Sequence, residues 1–322
     1  MRSALLAILI VGLLGGCKAR SGAPRDAGVT APRNLRETRK AGTWYEADPG
    51  RLGGELDGYL ARPTAAPSGG GAIVGLVSPH AGYRFSGPTA GAGYAALGRQ
   101  RGLRRVIVVG ISHHHAFRGV AVSTATHYDT PLGALGVDRA AADVLSRRAP
   151  FVVEERADAD EHSVELQMPF LRRVLPDVKV IPLIIGRLDL EGVTAAGKAL
   201  APLLDGATAL VASSDLTHRG ASFGYEVARQ DQESVAAAVH RLDHGVLPAV
   251  RALDAAALQA YYQETGITMC GRLSVIVMLS TIRQAGLSVQ VDELAYSTSG
   301  HVTQDWTSSV SYLSLALRKV KP

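Results

Sequence analysis

Cysteine is almost missing from this chain: among 322 residues only Cys17 and Cys270 carry a thiol. A scaffold stapled by several disulfides is therefore excluded. An apolar run long enough to span a bilayer is missing too, because the stretch over residues 4–14 falls short of the ~30 Å hydrocarbon core. Charge of one sign is not concentrated anywhere. The 34 basic and 29 acidic residues leave a net +5, and the basic ones are scattered and not interleaved with the sparse aromatics, which make up 5%. That pattern argues against nucleic acid as a partner. No internal repeat and no second linker divide the chain, which favours one large domain over two small ones. What remains, 47% hydrophobic and 20% charged, is the composition of a globular protein with a well-filled core.

The first residues set the expected compartment. Met1-Arg2, a short apolar stretch and then Leu14-Gly15-Gly16-Cys17 resemble a bacterial lipoprotein signal with its lipobox. The resemblance implies cleavage after residue 16 and lipid attached to Cys17, hence a lipid-anchored protein of the bacterial cell envelope, periplasmic or outer-membrane. Lys18 is not the aspartate that commonly retains such proteins at the inner membrane. Residues 17–40 lack apolar periodicity and read as the lipidated cysteine with a flexible tether, leaving 41–320 as a single folded domain.

Within that domain apolar runs alternate with helical spacing, the signature of a layered α/β fold. Strands are expected over 72–78, 105–110, 152–154, 178–185 and 209–213. The chain closes with 288–296 and 308–317, read as two strands or as a strand and a helix. Helices are expected over 49–61, 89–97, 137–147, 163–175, 190–204, 230–242, 253–264 and 274–285.

Three of the apolar runs end on histidine: Gly-Leu-Val-Ser-Pro-His80, Val-Ile-Val-Val-Gly-Ile-Ser-His113 and Ala-Leu-Val-Ala-Ser-Ser-Asp215-Leu-Thr-His218. Ligands of open α/β sheets collect beyond the carboxyl ends of the strands, so these imidazoles converge if the strands are neighbours. After His113 come His114 and His115, and in an extended segment His113 and His115 would share a face while His114 points away. His162 lies in Asp160-Glu161-His162-Ser163-Val164-Glu165, where Asp160 or Ser163 would cap a helix and Glu165 would sit in its first turn. Asp215 and His218, three residues apart, suit either a carboxylate that orients an imidazole or a general base beside a metal. Cys270 is either a buried inert thiol or a ligand or nucleophile, with Gly271 permitting close backbone approach and Arg272 placed to stabilise a thiolate.

The motifs Ala41-Gly42-Thr43-Trp44-Tyr45, Ser78-Pro79-His80-Ala81-Gly82-Tyr83, Gly110-Ile111-Ser112-His113-His114, Asp160-Glu161-His162-Ser163-Val164-Glu165, Ser213-Ser214-Asp215 and Cys270-Gly271-Arg272 together resemble the Memo family, whose prokaryotic members are also called AmmeMemoRadiSam system protein B. The resemblance implies a LigB-like fold akin to class III extradiol dioxygenases, an αβα sandwich with a mostly parallel central sheet. It matches His80, His113 and Cys270 to a metal-binding set with iron or copper as the ion and zinc as a third option. It matches His218 to an acid/base and Asp215 to the same pocket, for which His162, Tyr83 and Arg272 are further candidates. A thiolate in place of the dioxygenases' glutamate favours softer or redox-active ions and argues against ring cleavage. Ile111, Thr217, Arg219 and Thr298 depart from the relatives' pattern.

The expected function is a metal-dependent redox role at the envelope, with a small molecule or a peptide as ligand and the membrane engaged through the lipid. The alternatives are a metal-sequestering or peptide-binding protein without turnover, a non-haem iron dioxygenase, and a metallohydrolase. Relatives named for genes beside a radical-SAM enzyme are cytoplasmic, and an exported protein would not act with such a partner.

Overall fold

The computed structural model of the chain describes residues 34–62 and 71–320. Residues 1–16, the lipidation candidate Cys17 and the tether up to residue 33 lie outside the described residues.

The apolar runs form strands because each is flanked by helices on both faces and buries alternate side chains in opposite directions. Among the described residues the main sheet has nine strands: β1 (Ile73–Ser78), β2 (Arg105–Ile111), β3 (Val120–Val122), β4 (Phe151–Val152), β5 (Lys179–Ile185), β6 (Thr208–Ser213), β7 (His218–Gly220), β8 (Val289–Thr298) and β9 (Ser308–Lys319). Their order is β7-β9-β1-β6-β2-β5-β3-β4, with β8 also on β9. The central block β1-β6-β2-β5 is parallel, and β9 joins it antiparallel at β1 while β3 joins antiparallel at β5. Val106 and Val108 of β2 pack into one core, with Ala209 and Val211 of β6. Ile107 and Val109 pack into the other, with Leu210 and Ala212. Two cores on opposite faces of one sheet make an αβα sandwich, the expected class.

Several helices begin where a side chain satisfies their free amides. Asp48 caps Pro49–Leu60, Asp189 caps Leu190–Leu200, Ser234 caps Val235–His244 and Asp254 caps Ala255–Thr265, each accepting from the backbone N–H three residues on. The helix expected from residue 89 begins at Tyr83 and carries Pro88 inside it. The helix expected over 163–175 is split into a 3-10 turn, Glu165–Gln167, and Met168–Val174, with Pro169 in the first turn, where its missing N–H costs nothing. Both closing segments are strands, paired over almost their whole length. Among the described residues no helix is long and apolar enough to cross a membrane.

The folded body starts before the expected residue 41. Leu35–Arg36 pairs in parallel with His127–Tyr128 in a small three-stranded sheet. Arg36 is buried and donates to Glu165 Oε2 at 2.6 Å. Residues 34–40 therefore belong to the domain and not to a tether, because a guanidinium cannot be withdrawn from water without such a partner.

Candidate metal centre

β1, β6 and β2 are neighbours and parallel, so their carboxyl ends deliver His80, Asp215 and His113 to one edge of the sheet. Each imidazole is then oriented by a second partner. Ser213 Oγ donates its only proton to the Ser163 carbonyl at 2.6 Å and accepts from Gln167 Nε2 at 2.9 Å, so its contact with His80 Nδ1 at 2.8 Å needs the proton on the ring. His80 Nε2 is thereby left unprotonated, an acceptor for the Cys270 thiol 3.2 Å away. Burial pushes the pKa of His80 well down, and His113 adds to this, so the ring stays neutral and ready to bind a cation.

His113 is held in the same way by a carboxylate. Its Nδ1 lies 2.9 Å from Glu161 Oε1, while Glu161 also accepts from the backbone N–H groups of His113, His162 and Ser163. Burial pushes the carboxyl of Glu161 up, but the bonds and charge of His113 outweigh it and leave the pKa below the usual carboxylate range. Glu161 is thus an ionised acceptor, His113 Nδ1 the donor and His113 Nε2 the free atom, the carboxylate–histidine pairing that accompanies metal ligands. His162 stacks on the His113 ring at 4.2 Å between centroids. Burial lowers its pKa too, reinforced by His80 and His113.

Cys270 precedes the helix Arg272–Gln284 and reaches the site because Gly271 lets the backbone press on the end of β6. A Cβ at that position would stand 2.1 Å from the Ser213 carbonyl oxygen. Burial and then Asp215 push the Cys270 thiol well up, so a cation that binds it must displace the proton. Asp215 is itself pushed up by burial, against the charge of His218 and a backbone bond from His80 N at 2.8 Å.

Among the described residues three groups of side chains converge closely enough to hold an ion, with ligand atoms within 4.8 Å of one another: His80, His113 and His162; His80, Asp215 and Cys270; and His114, Glu161 and His162. The expected set of His80, His113 and Cys270 thus falls in two groups that share His80. Tetrahedral ligands on one ion are about 3.5 Å apart for bonds of 2.0 to 2.3 Å, close to the observed His80–Cys270 spacing.

Several expectations are corrected. Asp215 does not orient His218: the carbonyls of Leu216 and Thr268 accept from its Nδ1 at 2.9 and 3.2 Å, which leaves Nε2 as the basic atom. Tyr83 is a core residue whose hydroxyl is spent on the Leu166 carbonyl at 2.7 Å. Arg272 turns away from the thiol, stacking over Tyr262 at 4.0 Å and bonding Gln259. The segment after His113 is not extended, because Ser112 Oγ bonds the His115 carbonyl and closes a turn. His114 consequently converges on the site while His115 turns to Glu154 and Phe117. Ser163 caps no helix; its hydroxyl bonds both the N–H and the carbonyl of Ile111, finishing the edge of β2. Asp160 caps none either, and lies at the carboxyl end of the short helix Glu155–Ala159. His162, an expected pocket candidate, is in the cluster, whereas Glu161 was hidden in that motif, whose other carboxylates read locally as helix-end residues. The orphaned Nδ1 of His162 and the soft donor Cys270 paired with an unprotonated imidazole nitrogen show that the residues present suit a transition metal better than an alkaline-earth ion.

Comparison with known proteins matches residues 36–316 to the family described as Memo-like protein. Protein MEMO1 of Xenopus laevis is 31% identical over 291 residues, covering 88% of this chain and 97% of that protein. A MEMO1 family protein of Methanopyrus kandleri is 30% identical over 304 residues, covering 92% and 98%. Among solved structures, an uncharacterized protein from Escherichia coli K12 matches with TM-score 0.49 and 17% identity, over 76% of this chain and 98% of that one.

Proposed function

The chain belongs to the Memo-like family, and on that premise we propose that it is a metal-binding protein of the bacterial cell envelope with an iron or copper redox role at the His80 cluster. The observation that carries this reading is the unprotonated Nε2 of His80, fixed by Ser213 and paired with the Cys270 sulfur at 3.2 Å. His80, His113 and Cys270 would hold the ion, and Asp215 lies within reach of it. When bound, such an ion supplies one-electron chemistry and open positions for a small ligand. Thiolate and imidazole together suit copper and iron and also zinc, which would fill the site without redox turnover.

The chain's own groups divide the remaining work. Ser213 and Glu161 keep the protons of His80 and His113 on Nδ1, so both rings offer Nε2 inward. His218, its Nδ1–H committed to two carbonyls, accepts a proton at Nε2 from a ligand in the pocket. Gly271 sets the reach of Cys270. Support for the envelope comes from Leu14-Gly15-Gly16-Cys17 alone, with Cys17 as the lipid-bearing residue.

Metal analysis of the full chain purified from its native membranes tests the reading. Iron or copper near one equivalent, lost in Cys270→Ser, is the expected result; metal content unchanged in Cys270→Ser removes the thiol from the site, and zinc alone overturns the redox role. Oxygen uptake with a catechol in the presence of Fe(II) separates turnover from retention of the metal. Labelled palmitate incorporated by the wild type and not by Cys17→Ala tests the anchor.

A further inference from the structure

One nitrogen in the cluster has no task. His162 Nδ1 is buried and without a hydrogen-bond partner, and the nearest carboxylate oxygen, Glu161 Oε1, is 3.5 Å away, too far for a hydrogen bond and already accepting from three N–H groups. Buried ring nitrogens rarely stay unpaired, so the orphan asks for a ligand. The set of His80, His113 and Cys270 leaves His162 unused. Its buried ring lies 4.2 Å from that of His113 and 5.7 Å from that of His114, whose own side chain is exposed. Glu161 Oε2 accepts a single bond, from His113 N at 2.6 Å, and retains a free lone pair.

We propose that His114, His162 and Glu161 form a second, outer metal site for a divalent transition-metal ion, distinct from the inner cluster at His80 and Cys270. Two imidazoles and a carboxylate form a harder donor set than one containing a thiolate, so this site takes zinc(II) or iron(II) readily and completes its coordination with water at the exposed side. Binding there turns the orphaned nitrogen into a ligand atom and sets a cation against the ionised Glu161.

The inference takes from the functional reading only that the inner cluster does not need His162, and the two separate by experiment. Metal-free full-length chain is titrated with zinc(II) against a chromophoric chelator, alongside His114→Ala and Cys270→Ser. His114 is exposed, so its truncation leaves the fold intact, which the melting curve checks. Two ions in the wild type are expected, one each in His114→Ala and Cys270→Ser, with the outer affinity falling by at least the roughly 10–100-fold that loss of even a supporting partner costs. His114→Ala that still binds two ions with unchanged affinities overturns the outer site, as does a wild type that binds one ion and loses it in Cys270→Ser. An ion lost in His114→Ala with no Cys270-dependent ion leaves the outer site standing and removes the inner reading.

Discussion

Two groups of histidines in this molecule invite opposite conclusions from sequence and from structure. His240 and His244 sit four apart on the helix Val235–His244 with Glu293 beside them, a spacing that places both rings on one helix face. His80, His113 and His162 are scattered over the chain. Yet the helical rings stack face to face at 3.7 Å, and both nitrogens of His244 meet acceptors: the His240 carbonyl at 2.8 Å and the Glu293 carboxylate at 3.1 Å. Among the described residues neither belongs to a group that converges on an ion. At the strand ends, by contrast, His80 and His113 each have Nδ1 tied to Ser213 or Glu161, and Nε2 of His80 meets only the Cys270 sulfur. What sets His80 and His113 apart from the helical pair is a partner that commits Nδ1 and leaves Nε2 unprotonated, as ligand histidines are commonly held, and spacing along a helix does not supply that.

The sharpest way to break this comparison is to truncate one member of each group. His80→Ala is expected to empty the inner site, while His244→Ala leaves metal content unchanged; inductively coupled plasma analysis of both proteins decides it, and equal losses would sink the distinction. A smaller effect is expected from the supporting carboxylates. Glu161→Gln weakens metal binding by about 10–100-fold, read by chelator competition, and Glu293→Gln leaves it unaltered. Backbone geometry comes next: Gly271→Ala forces a Cβ against Ser213 and costs about 1–3 kcal/mol in urea unfolding, with Cys270 pushed off His80.

The smallest effect lies outside both groups and controls for general acid sensitivity. Burial pushes the Asp138 carboxyl up, but the Arg105 guanidinium at 2.8 Å and the Ala141 N–H outweigh it and hold the folded pKa below the unfolded value. Its contribution is therefore present above about pH 4 and lost as pH falls through the lowered folded value. Asp138→Ala is expected to cost about 1 kcal/mol at pH 7 and less near pH 2.

The layered fold was legible because residues 106–109 and 209–212 are apolar without a break, as strands covered on both faces must be. Strand order was not, since β6 enters between β1 and β2 only in three dimensions. Cys270 was a candidate from its own neighbourhood, where Gly271 permits close approach, and the family resemblance matched it to the metal set; that Gly271 presses on Ser213 in particular was not legible. His114 was misplaced because alternation presumes an extended chain, and a hydrogen bond from Ser112 was enough to bend it. Residues 34–40 read as tether because the carboxylate that satisfies Arg36 lies 129 positions away.

That carboxylate has a consequence of its own. Glu165 gathers the Arg36 guanidinium, the Tyr45 hydroxyl and the amides of Arg39 and Lys40, the last two at 2.9 and 2.7 Å, on the segment that carries His162. The amide protons of Arg39 and Lys40 can trade with deuterium only when this clasp lets go. Their exchange rates therefore clock how often the segment bearing His162 comes loose from the start of the domain, and a bound ion that steadies the segment would slow both clocks together.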